Sequence, residues 1–253
     1  MAKPIDNLKQ IVKRLRAPGG CPWDIEQTPK TITPHIIEEA YELVDAIESE
    51  NNNNILDELS DQLLHVVMIS EMIHENGGFN FDDVAAHCSN KMIRRHPHVF
   101  GDDSASDSGE VIKKWEEIKA KEKPNHSVIS DIPNHFPALL HAQKIQKKVA
   151  QVGFDWPDLD GPIDKLTEEC QELIAAISNE DVDEEIGDIL FTIVNICRKL
   201  DKSAENLLQN ANKKFKARFE TLEMIATTHQ TPLKKLNITE LEILWDHAKK
   251  LQK

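Results

Sequence analysis

The sequence predicts an all-α protein made of two tandem helical modules, and three observations carry that reading. Apolar residues recur at intervals of three and four along nearly the whole chain, the spacing of a single helix face, and no convincing alternating strand interrupts them. Only nine of the 253 residues are glycine while 29% are charged, a balance that suits helices better than turn-rich β architecture. The second half of the chain repeats the first in order, residue type and approximate spacing.

Taken in order, Ile5, Leu8, Ile11, Val12 and Leu15 form the first apolar stripe, with Asp6 as its candidate cap. Residues 34–49 continue the rhythm, and the Asn51–Asn54 run reads as a turn. Residues 55–75 carry a broad apolar face and end at Gly77–Gly78. Asn80 or Asp82 is placed to cap a further helix, which the His96–Pro97 pair breaks. A polar, acidic loop at 101–110 precedes a short helix around Trp115. Residues 122–137 hold three prolines and several turn formers, which predicts a linker between an N-terminal module, 1–121, and a C-terminal module, 138–253.

The repeat is specific. EEAYELVDAI at 38–47 matches EECQELIAAI at 168–177 at six of ten positions, and 57–69 matches 184–196 at five of thirteen. Lys91 and Arg95 return as Lys214 and Arg218, and Trp115 with Lys119 returns as Trp245 with Lys249.

Composition narrows the function. A formal charge of −14 repels a phosphate backbone, so general nucleic-acid binding is excluded, and a phosphorylated ligand requires local cations or a bridging metal. The 40% hydrophobic content supports a packed core, yet no apolar run approaches the ~18 residues of a membrane span. The first residues lack the apolar stretch of a signal peptide, and Cys21, Cys88, Cys170 and Cys197 form no CxxC pair. Free thiols in a reducing cytoplasm are the expectation.

Chemistry points to the carboxylates. One helix of each copy carries Glu-Glu-x-x-Glu and the next carries Glu-x-x-Asp: Glu38, Glu39, Glu42, Glu58 and Asp61, then Glu168, Glu169, Glu172, Glu185 and Asp188. Residues three apart share a helix face, so antiparallel packing across the intervening turn brings two acidic pairs to one point, with Leu43, Ile47, Leu63 and Leu64 holding them against a core. Four converging carboxylates repel one another unless a hard divalent ion joins them, and Mg²⁺ combines carboxylates with waters and phosphates. Such an ion neutralises phosphate charge and acidifies a bound water, while the Lys91/Arg95 and Lys214/Arg218 pairs meet the remaining phosphate oxygens. This is phosphoanhydride chemistry. A solitary ExxE is ordinarily a solvated face; recurrence of the whole set beside apolar positions favours a metal cage.

The EExxE and ExxD motifs, with GGCPWDIEQTPKTI, RRHPHVF and AQKIQKKVAQVGFDW, resemble the two-domain MazG proteins of the all-α nucleotide pyrophosphohydrolases over nearly the whole chain. The resemblance implies a homodimer whose helices complete a shared bundle, and Mg²⁺-dependent cleavage of nucleoside triphosphates, broad in base, to the monophosphate and pyrophosphate, with Mn²⁺ able to substitute. It implies metal ligation by Glu169, Glu172, Glu185 and Asp188, with Glu39, Glu42, Glu58 and Asp61 as the counterpart set. Glu38 and Glu168 would support the cage or orient water, Lys214 and Arg218 would face the triphosphate, and Trp245 would close over the site. Lys91, Arg95 and Trp115 hold the matching places. No motif residue is missing from either copy, so the sequence leaves the active one open; the family pattern favours the second. The Glu42–Glu58 separation is sixteen and the Glu172–Glu185 separation thirteen, so the turns between the ligand helices differ.

Other readings fare worse. No GxxxxGK[ST] phosphate loop and no GxSxG element occur. Glu71 with His74 forms half of a di-iron signature, but its second-copy counterpart has no histidine. His96-Pro97-His98 reads as a helix stop, and His35, His65, His87 and His141 as satisfied or exposed helix residues. Trp23 and Trp156 are expected in the core or a pocket wall, while Trp115 and Trp245 suit base stacking or packing. A non-catalytic helical dimer scaffold that binds a partner protein is the alternative from a different class.

Overall fold

The computed structural model describes residues 3–122, 127–177 and 182–252, and all its regular elements among these are helical. Contacts divide the chain into two units, residues 1–124 and 125–253.

The first unit opens with α1, Pro4–Arg16. Proline is its first helical residue, where a missing N–H costs nothing, and Asp6 lies inside the first turn rather than at the cap. Its carboxylate there faces the positive helix end instead of bonding a backbone amide. After α2, Pro22–Glu26, come α3, Thr33–Glu48, and α4, Asn52–Glu75, which pack along each other. The Asn51–Asn54 run is not a turn: the Asn51 side chain accepts from the amides of Asn53 and Asn54 at 3.1 and 3.4 Å and starts α4. The side-chain competition for backbone that makes asparagine a turn former also makes it a cap. At the far end Gly77, with φ +78°, and Gly78 return their amides to the carbonyls of His74 and Ile73, closing the helix in a left-handed cap. Asn80 and Asp83 then form a reciprocal capping box for α5, Phe81–Arg95. A one-turn helix after the proline break, α6 at Pro97–Phe100, was not expected from the sequence, and α7, Ser108–Glu122, runs through the first residue of the expected linker.

Val12, Ile32, Val67, Met68 and Met72 form the core of this unit, with Ile5, Leu8, Ile36, Leu64, Ile69 and Phe81 packed against it. Arg16, its side chain 7% exposed, ties α1 to the end of α4 by paired bonds to Glu75 at 2.7 and 2.9 Å, and donates to the Gln27 carbonyl beyond α2. Ile47 and Leu63 do not back the acidic pairs as expected: both are exposed, on faces of α3 and α4 that this chain leaves uncovered, whereas Leu64 joins the core.

The second unit comprises α8, Ala138–Ala150; α9, Asp160–Ala176; α10, Val182–Lys199; α11, Ala204–Thr228; a 3-10 turn at Leu233–Lys235; and α12, Ile238–Leu251. Helices α9 and α10 pair as α3 and α4 do. The buried Gln146 of α8 donates to the Phe191 carbonyl at 2.8 Å, and Gln143 bridges the Lys202 carbonyl and the Ala204 amide, so α8 is fixed to α10 and to the start of α11. Arg198 grips Asp155 at 2.6 and 3.1 Å and holds the 153–156 loop against α10. Leu222, Ile225 and Ala248, with Leu233, Leu244 and Trp245, join α11 to α12.

Candidate metal and nucleotide site

In both units the helix pairing gathers the acidic motifs. Carboxylate oxygens of Glu39, Glu58 and Asp61 all lie within 4.8 Å of one another, and so do those of Glu169, Glu172 and Glu185. The trios are not identical. Glu42 stands just outside the first and Asp188 outside the second, although Glu42 acts on the charges of Glu39 and Glu58, and Asp188 on that of Glu185.

Crowding marks these groups as unsettled. Burial, followed by repulsion from Asp61, Glu42 and Glu38, pushes the Glu39 carboxyl above its ordinary range, while a bond from Glu58 partly offsets the rise. Glu58 is raised by burial and then by Glu42, Glu39 and Asp61. Glu185 is raised by burial and then by Glu172, Glu169, Glu184 and Asp188. Anionic oxygens held this close against a helix pair are the donor set a hard divalent ion satisfies, and both clusters are able to hold one.

The units differ in what stands beside the carboxylates. In the second, Lys165 bonds Glu168 at 2.8 Å and Glu169 at 2.6 Å, and Glu169 is only 3% exposed. The sequence reading did not include Lys165. In the first, the corresponding residue is His35, whose Nδ1 lies 3.6 Å from Glu38 and whose ring meets the edge of Trp23. His65, expected to be satisfied or exposed, is neither: it is buried and its Nδ1 has no hydrogen-bond partner.

Among the described residues none of the expected phosphate-binding cations Lys91, Arg95, Lys214 and Arg218 makes an ion pair with the acidic trios. Arg95 is held by Glu122 and lies over the Trp115 ring, 5.2 Å from its centroid. Arg218 has a buried Nε without a partner. Both of the indoles considered for stacking are packed: Trp115 against His96 at 5.0 Å, and Trp245 against Phe215 at 5.0 Å, next to Lys214. Trp23 is 51% exposed rather than in the core. Trp156 lines a cavity of about 210 Å³ with Gln146, Phe191, Thr192, Asn195 and Arg198. Phe191 and Thr192 follow Asp188 by one turn of α10, so the cavity adjoins the acidic end of that helix.

Fold and clusters together define a class: an all-α protein whose tandem helical modules each present an acidic cluster fit for a divalent ion. The MazG nucleotide pyrophosphohydrolase domain matches this chain twice, at residues 27–100 and 162–222. A nucleoside triphosphate pyrophosphohydrolase of Escherichia coli is 44% identical over 97% of both chains, and one from Thermotoga maritima, a nucleoside triphosphate pyrophosphohydrolase/pyrophosphatase MazG, is 42% identical over 96% of this chain and 95% of its own. The uncharacterized protein YabN of Bacillus subtilis is 38% identical over 97% of this chain, which spans 51% of it. The chain belongs to the MazG family of nucleotide pyrophosphohydrolases. Among the described residues no helix is long and apolar enough to cross a membrane.

Proposed function

We infer that the protein hydrolyses nucleoside triphosphates to the monophosphate and pyrophosphate, and that the C-terminal cluster does the work. The observation that carries this is the trio Glu169, Glu172 and Glu185, with oxygens within 4.8 Å and Asp188 beside them. These four residues would hold Mg²⁺, or Mn²⁺ in its place. The bound ion supplies neutralisation of the phosphate oxygens and acidification of water at the reacting phosphorus.

The chain's own groups divide the remaining tasks. Lys165 fixes Glu168 and Glu169, which keeps Glu168 at the rim as the acceptor for the proton of the attacking water. Water adds to the α-phosphorus, the bond from that phosphorus to the bridging oxygen of the β-phosphate breaks, and pyrophosphate leaves. Lys214 and Arg218 receive the phosphate oxygens; the unpartnered Arg218 Nε supports that role. The cavity beside Trp156 offers an aromatic wall and the amides of Gln146 and Asn195 to a base, without a geometry that demands one base alone.

We propose Glu39, Glu42, Glu58 and Asp61 as a second cage, in a module whose Arg95 is paired with Glu122 and stacked over Trp115, so that both serve packing more than substrate. Ile37, Tyr41 and Val44 on α3, with Ile174 and Ile177 at the end of α9, are exposed, and a homodimer that covers them accounts for faces this apolar. Four free cysteines suit a reducing cytoplasm.

Product analysis on purified protein tests the reading. Pyrophosphate release that requires a divalent ion is expected, and Glu172→Gln or Asp188→Asn should abolish it; release of orthophosphate in place of pyrophosphate overturns the bond assignment.

A further inference from the structure

The cavity beside Trp156 has an unspent acceptor among its lining residues. Gln146 lines it, is 3% exposed, and has its Oε1 buried without a hydrogen-bond partner. The other end of the amide fixes its orientation. The Phe191 carbonyl, 2.8 Å away, can only accept, so the NH2 group faces it and the oxygen is left over. Buried carbonyl oxygens are ordinarily satisfied, and an orphan calls for a missing donor. Two other polar oxygens of the wall are engaged: Asn195 Oδ1 accepts from Arg198 at 2.6 Å, and the Asp155 carboxylate accepts from the same guanidinium at 2.6 and 3.1 Å.

Packing alone does not ask for glutamine at this place. Helices α1 and α8 each end three residues before a glycine of positive φ, Gly19 at +75° and Gly153 at +88°. Seven residues before those glycines stand Val12 and Gln146. Val12 is 1% exposed and fills the core of the first unit. Helix α8 packs on α10 as α1 packs on α4, so a valine serves that contact, and an amide in its place buries a polar group at a cost. The aromatic wall of the cavity is also built: Gly161, near the start of α9, lies so close to the Trp156 indole that a side chain there would displace the ring. Helices α9 and α10 carry Glu169, Glu172 and Glu185 as well, so the cavity and the acidic cluster share their supports.

We propose that Gln146 is a specificity-determining residue for nucleoside triphosphate hydrolysis: its Oε1 accepts an N–H of the nucleobase, which lies against Trp156. The inference rests on reading the cavity as the base site that serves the C-terminal cluster. Each of the common bases carries an N–H on its Watson–Crick edge, so all of them are admitted. A base stripped of that donor leaves the buried oxygen unpaired and binds poorly.

The test measures Mg²⁺-dependent pyrophosphate release by the full chain with ATP and with 6-methylpurine riboside triphosphate. In that analogue a methyl group replaces the amino group that carries the only N–H donors of the adenine base. The analogue should lose about tenfold or more in kcat/KM, through a raised KM with kcat within about threefold, because binding rather than chemistry is affected. Gln146→Met keeps the length of the side chain and removes the acceptor, and should bring the two substrates within about twofold of each other. Equal kcat/KM for ATP and the analogue in the wild-type protein overturns the proposal whether or not the variant folds. A gap that persists undiminished in folded Gln146→Met overturns it too. Either result beside intact pyrophosphate release removes this inference alone; absence of pyrophosphate from every nucleoside triphosphate removes the proposed function with it.

Discussion

Glu122 Oε2 stands 2.5 Å from Arg95 Nη2, and the same carboxylate accepts from Arg94 Nε at 2.8 Å. Arg218, which holds the corresponding place in the second unit, has its Nε buried and unpartnered. The bonds from Arg95 and then Arg94 push the Glu122 carboxyl down to about 2. With the folded value below the unfolded one, the stabilisation from this pairing is complete above the usual carboxylate range and is lost only as pH falls through about 2. Arg95 therefore stays occupied at any physiological pH, whereas the Arg218 Nε is left without a hydrogen-bond partner.

Arg218→Ala should lower kcat/KM for nucleoside triphosphates by about tenfold or more, as expected when a charge-assisted donor to phosphate is lost. Arg95→Ala in the same assay should change it less than about threefold, because its guanidinium already serves Glu122. Steady-state kinetics on the two variants decides; equal losses would return Arg95 to substrate binding.

Glu185→Gln separates stability from function. The Glu185 carboxyl is raised by burial and then by Glu172, so its ionised form is disfavoured in the folded protein. A raised folded value contributes stability that is present below the unfolded value and lost as pH rises through the folded one. Near neutral pH and without divalent ions the variant should melt a few degrees above the parent while pyrophosphate release is abolished. Mg²⁺ should stabilise the parent more than the variant, which keeps only the first module's cluster intact. Thermal unfolding with and without chelator provides the measurement.

Lys165→Met removes the cation that sits on Glu168 and the buried Glu169. The Lys165 ammonium is held above its ordinary value, first by Glu168 and then by Glu169, so its contribution is present below the unfolded value and is lost only in strong alkali. The metal-free variant should unfold several degrees lower at neutral pH, and added Mg²⁺ should narrow the gap by supplying charge to the same carboxylates. A gap that Mg²⁺ leaves unchanged would separate Lys165 from the metal site.

Met72→Ala tests the division of labour. Met72 is 1% exposed in the core of the first unit, and truncation there should destabilise that unit by about 2–5 kcal/mol. Pyrophosphate release per folded molecule should hold if the second cluster is the working one. Denaturant melts read beside kinetics check both halves of the statement.

Several helices were legible because burial is periodic: α1 with Ile5, Leu8 and Val12, and α3 and α4, sit where three-and-four spacing put them, and α9 and α10 follow from the repeat of the acidic motifs. Local signals were more equivocal. Asn51 was read into a turn and is a cap, and α6 is too short for periodicity to register. Within the site, spacing gives each acidic pair but not the axial offset between two packed helices, so it did not tell that Glu42 and Asp188 fall outside the tight trios. Lys165 lies one turn before Glu169, yet such a spacing is commonplace on exposed helices and gains weight only from the burial of Glu169. His65 shows how little a histidine in an apolar stretch reveals until its neighbours are known.

Each acidic cluster draws both its halves from consecutive helices joined by a short connection. A chelating unit encoded in one uninterrupted stretch of sequence is portable: a single duplication event copies it whole, with no distant segment left behind to be re-recruited. Once two intact copies exist, one is free to drift in its flanking side chains while its sister keeps the original task.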